Sequence, residues 1–204
     1  MISARMLSIN KTGNVKIGIL GGTFDPVHNG HIYLAKKVCR KLKLSKIIFI
    51  PAYIPPHKKG VKVTQAKHRY NMLKLAAAGD KKLKISDMEI KRKGRSYSVE
   101  TLRRLRKRYG AAAELFFITG SDSLKELDKW KNLNEILKLC EFVVVERPGF
   151  KAKKIPAGLI YLKVNAKDIS ATEIRNKIGV NKPLNRLMPA AVETYIYKHS
   201  LYRS

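Results

Sequence analysis

The chain has 204 residues, with 43 Lys and Arg against 15 Asp and Glu, a formal net charge of +28. At 45% hydrophobic residues it can build a core, which excludes a disordered basic tail. Its length suggests one domain and no apolar run reaches the roughly 18 residues of a membrane helix, while the charge points to a polyanion: nucleic acid, an anionic membrane or phosphorylated small molecules.

Residues 1–14 read as a short N-terminal extension without a signal-peptide core, and 15–204 as a single domain. The expected setting is soluble and cytoplasmic. Cys39 and Cys140 are far apart, without a metal-type partner at short spacing, and read as two reduced buried thiols.

Val15 to Leu20 is a short apolar run ending at Gly21-Gly22, which predicts a buried first strand. A helix starts near Asn29. From His31 to Leu42 its apolar positions Ile32, Leu34, Ala35, Val38, Cys39 and Leu42 follow a helical period. Ile47 to Ile50 is a second buried strand, stopped by Pro51. Tyr53 to Val63, with Pro55, Pro56 and Gly60, must be a loop. Thr64 can cap a helix to about Ala78. Leu83 to Asp87 alternates like a strand. Ser98 can cap a helix from Val99 to Tyr109, stopped by Gly110. Glu114 to Thr119 is another apolar strand, followed by two short helices around Trp130. Phe142 to Val145 is a strand ended by Pro148-Gly149, and Leu159 to Val164 is a further one. Ser170 and Glu173 have capping-box spacing, and Pro189 suits the first turn of a last helix to about His199. Short strands alternating with helices predict a Rossmann-like α/β fold: a doubly wound parallel sheet with helices on both faces.

In such a sheet ligands bind outside the carboxyl ends of the strands. There lies Gly21-Gly-Thr-Phe-Asp-Pro-Val-His-Asn-Gly-His31, between the first strand and the first helix. Gly21 and Gly22 let backbone approach a phosphate, and the helix start offers N–H groups and a positive dipole end. His28 and His31 are three apart, so both rings can lie on one side and donate to phosphate oxygens. A helix cap and a metal pair are the competing readings of the two histidines. The segment is neither a Walker A loop nor Gly-x-Gly-x-x-Gly. Asp25 is the only acidic residue in positions 1–79, which hold fifteen Lys and Arg, and reads as an Asx-type turn before Pro26.

Ile169-Ser-Ala-Thr-Glu-Ile-Arg175 reads as a second helix start, with hydroxyls and a guanidinium that can face an anion. Pro55-Pro-His-Lys58 puts a lysine on a loop. Ser98 stands in Arg95-Ser-Tyr-Ser-Val-Glu-Thr101, and Asp122 in Gly120-Ser-Asp-Ser-Leu124, where a carboxylate can accept from ribose hydroxyls. Trp130 is the only tryptophan, and serves either as a core aromatic or as a flat ring for stacking.

The run Gly-Thr-Phe-Asp-Pro-Val-His-Asn-Gly-His resembles the nucleotidyltransferase superfamily with the His-x-Gly-His signature. Within it the chain resembles the bacterial nicotinate-nucleotide adenylyltransferases, over about Lys16 to Tyr202. Ile169 to Arg175 is similar to the family's triphosphate motif, with Ala171 in place of its second serine. Ser96-Tyr97-Ser98 is similar to its Ser-Tyr-Thr segment, with Ser98 where Thr is usual. Arg147-Pro-Gly149 resembles its segment near the adenine site.

The resemblance implies adenylyl transfer from ATP to nicotinate mononucleotide, in NAD biosynthesis, with magnesium accompanying ATP and no metal site on the protein. His28 and His31 are then the catalytic residues. Gly21, Gly22, Thr23, Phe24, Gly30, Gly120, Asp122, Ser170, Thr172 and Arg175 are expected on ATP. Lys58, Tyr97, Ser98 and Trp130 are expected on the mononucleotide. The partners are ATP and nicotinate mononucleotide, with no membrane and no specific nucleic acid; a homo-oligomer stays open. Nicotinamide mononucleotide or another phosphorylated acceptor is the close alternative. Pantetheine-phosphate adenylyltransferases usually carry Thr where this chain has His28. The rival from another class is a basic nucleic-acid-binding protein, supported by Lys91 to Arg95 and Arg103 to Arg108 but by no helix-turn-helix or zinc-finger signature.

Overall fold

The computed structural model of the protein describes residues 14–56, 60, 63–146, 155–164 and 168–203. Its six strands are β1 (Lys16–Gly22), β2 (Lys46–Pro51), β3 (Leu83–Ile85), β4 (Glu114–Gly120), β5 (Glu141–Val145) and β6 (Leu159–Leu162). They form one sheet in the order β3-β2-β1-β4-β5-β6, with every pairing parallel. The helices are α1 (Asn29–Lys41), α2 (Ala66–Ala76), α3 (Met88–Arg92), α4 (Ser98–Tyr109), α5 (Leu133–Leu139), α6 (Ala171–Gly179) and α7 (Ala190–Lys198), with a 3-10 segment at Ser121–Lys129.

The central strands are apolar without interruption because both faces are covered. Successive side chains feed separate cores. Leu20, Phe49, Ile118 and Val143 meet Val38 of α1, Leu73 of α2, Ile174 of α6 and Ile196 of α7. Ile19, Ile50, Phe117 and Phe142 meet Val99, Leu102 and Leu105 of α4 and Ile136 of α5. Chain order reverses between β1 and β4, which is the switch point where a doubly wound sheet opens a crevice.

The expected Rossmann-like fold is present, with local differences. α2 has Gln65, not Thr64, at its cap position and no side-chain cap bond, while the Thr64 N–H donates to the Asp25 carboxylate (3.1 Å). The carboxylate's partners lie far away in sequence, so Asp25 does not form the expected Asx turn. Ser98 is the first residue of α4 rather than its cap; Tyr97 holds the cap position and no side chain caps the helix. Ser170 does hold the cap position of α6, but its hydroxyl makes no cap bond, so there is no capping box; Glu173 pairs with Lys177 at 3.2 Å instead. The five-residue α3 was not foreseen, since it is too short to show a helical period.

Both cysteines are free and buried, and burial pushes the Cys140 thiol up to about 12. Among the described residues no helix is long and apolar enough to cross a membrane. Lys58, Arg147-Pro-Gly149 and the first thirteen positions lie outside the described residues.

Candidate active site

β1 delivers the chain to the carboxyl edge of the sheet at Gly22, where a Cβ would lie 2.9 Å from the Phe24 ring. Only glycine allows that approach. Phe24 itself turns left-handed (φ 51°), an uncommon backbone for a bulky residue. The turn seats its ring edge-on to His31 (centroids 5.1 Å) and against Phe49 (5.6 Å).

His28 is the N-cap of α1, extended at φ −143° and 5% exposed. Its N–H donates to His31 Nδ1 (3.3 Å), and the two rings lie 3.7 Å apart, tilted by 31°. With Nδ1 accepting, a neutral His31 carries its proton on Nε2, a donor for an anion. The first-turn amides are partly used within the protein: Asn29 N–H donates to Leu187 O (2.9 Å) and His31 N–H to His28 O (3.0 Å).

The second motif is latched onto the first. Arg175 Nη1 donates to the Asp25 carbonyl (2.7 Å) and Nη2 to Thr172 Oγ1 (3.1 Å). This brings the start of α6 beside the start of α1, so two helix N-termini border one site.

The other wall comes from the opposite layer. Ser96 Oγ accepts the Tyr53 N–H (2.9 Å), and Ser96 N–H donates to Ile54 O (3.0 Å). Thr101 Oγ1 donates to Glu89 (2.5 Å), whose carboxyl burial pushes above the usual range, with the Thr101 and Ser96 side chains pulling it back. Lys131 Nζ lies 4.5 Å above the Tyr97 ring and 3.3 Å from Glu100, which also pairs with Arg92 at 2.7 Å. Trp130 is edge-on to Phe117 (5.7 Å) and Phe142 (5.6 Å). It is therefore both anchored in the core and a wall of the site.

Between these walls lies a cleft of about 770 Å³. It is lined by Gly21, Gly22, Thr23, Phe24, His28, Gly30 and His31 from the β1–α1 segment, by Gly120 at the end of β4 and by Asp122 just after it. Ser170, Thr172 and Arg175 line it from α6, and Tyr97, Ser98 and Trp130 from the other layer. Every site residue expected from sequence that lies among the described residues is thus in one place. Among the described residues no three of His, Cys, Asp and Glu stand together as a metal-holding group.

Sequence reasoning missed the groups that hold the cleft in shape. Arg69, 1% exposed, donates Nε to Thr64 O (2.7 Å), Nη1 to Thr23 O (2.8 Å) and Nη2 to Tyr53 O (3.2 Å). Tyr202 donates its hydroxyl to Asp25 Oδ1 (2.6 Å). Glu89 lines the cleft unannounced by any motif. The lone acid at position 25 among fifteen cations was the single available signal.

Sheet order, twin-glycine turn and paired histidines define a class, the cytidylyltransferase-like family, whose model matches residues 19–177. The nicotinate-nucleotide adenylyltransferase of Bacillus subtilis is 41% identical over 189 residues, covering 93% of this chain and 99% of that protein. The probable nicotinate-nucleotide adenylyltransferase of Thermoanaerobacter sp. is 41% identical over 200 residues, covering 93% and 95%. The chain belongs to the nicotinate-nucleotide adenylyltransferase family of nucleotidyltransferases. Its fold is shared by the Plasmodium falciparum nicotinic acid mononucleotide adenylyltransferase complexed with NaAD, at TM-score 0.74 and 21% identity over 93% of this chain and 98% of that one.

Proposed function

We propose that the chain transfers the adenylyl group of ATP to the 5′-phosphate of nicotinate mononucleotide, giving nicotinate adenine dinucleotide and pyrophosphate. The observation that carries this reading is the single cleft that gathers both helix starts, both histidines, Arg175 and the Tyr97–Trp130 wall at the switch point. Family membership supports the same chemistry.

The attacking phosphate is already ionised, so no protein nucleophile is needed. The mononucleotide phosphate forms a bond to the α-phosphorus of ATP as the bond to the bridging oxygen breaks, and pyrophosphate leaves with that oxygen. The protein supplies position and charge stabilisation. His31 Nε2–H and the His28 ring stabilise charge on the transferring phosphoryl group. Ser170, Thr172, Arg175 and the start of α6 hold the departing phosphates. Gly21 and Gly22 admit the phosphate chain close to backbone, and Asp122 and Gly120 receive the ribose. Tyr97, Ser98 and Trp130 hold the pyridine end, and Lys58 is a further candidate ligand of the mononucleotide by family resemblance alone. Magnesium would enter with the triphosphate and would supply charge neutralisation there.

The test is pyrophosphate release from ATP and magnesium with nicotinate or nicotinamide mononucleotide in parallel. Release with the nicotinate compound is expected; none with either would overturn the reading, and faster release with nicotinamide mononucleotide would reassign the acceptor. His31→Ala is expected to lower kcat on the order of 10²–10⁴, the scale of one positioned electrostatic group. Turnover within threefold of the unmodified protein would remove His31 from the chemistry.

A further inference from the structure

We propose that Tyr202, acting through the Asp25 carboxylate, is a positioning residue for His31: the segment after α7 sets the loop on which the histidines stand. The kinetic part of its test rests on the adenylyl-transfer reading; its geometry does not.

Beyond α7 the chain makes two uncommon left-handed turns, at Ser200 (φ 48°) and Tyr202 (φ 63°). Such backbone is disfavoured for an aromatic residue and persists only where its surroundings hold it. Here the holding bond is the Tyr202 hydroxyl on Asp25 Oδ1, at 2.6 Å, with Asp25 only 5% exposed. Burial and the neighbouring carboxylate both push the Tyr202 phenol up, so it stays a donor.

Asp25 is bonded on every side. Oδ2 accepts the Thr64 N–H and the backbone carbonyl accepts Arg175 Nη1. With these partners its carboxylate is a structural acceptor rather than a base. The residue before it, Phe24, is also left-handed, and the residue before that is held through its carbonyl by Arg69. The Phe24 ring meets the His31 ring edge-on, and His31 Nδ1 accepts from His28. A continuous path therefore runs from Tyr202 to Asp25, across one peptide unit to Phe24, and by ring contact to His31. Each link is a hydrogen bond, a covalent neighbour or an aromatic contact, and the first of them joins positions 177 apart in sequence.

Tyr202→Phe keeps the ring and removes one oxygen, so it separates positioning from packing. A small misplacement of a reacting group costs up to two orders of magnitude, and this variant is expected to lower kcat about tenfold with both KM values within about twofold. Losing a donor to a buried carboxylate should lower its melting temperature by several degrees while the variant stays folded at the assay temperature. The His31 ring resonances in an NMR spectrum of the free protein should move. In an Asp25→Ala background the same change should add nothing, because the path is already cut. Unmodified kcat with unmoved His31 resonances overturns the proposal. So does a fall in melting temperature with kcat and the His31 resonances unchanged, which would make Tyr202 merely structural, or a full additive loss on Asp25→Ala. If the unmodified protein releases no pyrophosphate, the adenylyl-transfer reading falls and the His31 resonances still decide the positioning role.

Discussion

Glu89 lies at the cleft with 6% of its surface exposed, and burial raises its pKa above the usual carboxyl range. A carboxyl raised in the folded state contributes stability below its unfolded pKa, and that contribution is lost as pH rises through the folded value. The unmodified protein should therefore gain stability as pH falls from neutrality toward the ordinary Glu range. Glu89→Gln, which can still accept from Thr101, should lack that component. Melting temperatures of both across this window check it; parallel curves would contradict it. Trp130 poses the other residue-level question, since its ring is a wall of the cleft and is packed on Phe117 and Phe142. Trp130→Ala is expected to raise KM for the mononucleotide well above any change for ATP, measured by initial rates. An equal rise for both would reduce it to a core aromatic.

At the scale of elements, the β1–α1 loop, the segment after β2 and the start of α2 are one unit because Arg69 joins them. Removing it leaves three carbonyls without their donor, and an unsatisfied buried group is expensive. Arg69→Ala should destabilise the fold by roughly 3 kcal/mol, read by urea denaturation, and Arg69→Lys should not restore it because an ammonium lacks the planar fork. Nothing in the sequence distinguishes Arg69 from the other cations of a chain holding 43 Lys and Arg. The strands were legible because burial on both faces leaves an unbroken apolar run, as at Ile47 to Ile50. The β1–α1 residues of the cleft were legible because glycines, histidines and a helix start fall together at one strand end, whereas Tyr97, Ser98 and Trp130 were pointed to the site by family resemblance. Thr64, Ser98 and Ser170 misled because a hydroxyl before a helix is ordinarily a cap, and here each helix start is placed by tertiary bonds or left uncapped. The Asp25–Tyr202 bond was illegible because no local pattern reports a partner so far along the chain.

For the whole molecule, the charge of +28 far exceeds what one phosphate cleft uses. On α4, Arg103 pairs with Glu135, while Arg104, Lys107 and Arg108 are exposed to solvent. Such a surface should hold duplex DNA weakly, with binding collapsing between about 50 and 200 mM salt and no sequence preference. A titration by fluorescence anisotropy checks this, and tight, salt-tolerant binding would point to a dedicated nucleic-acid role. The two cores share no residue, and each supplies one wall of the cleft. The histidine wall can stay constant while substitutions on the α4–α5 side reshape the opposite one. Such a chain can exchange the molecule it modifies without relearning the transfer, so acceptor choice is open to gradual evolutionary change behind a fixed reaction.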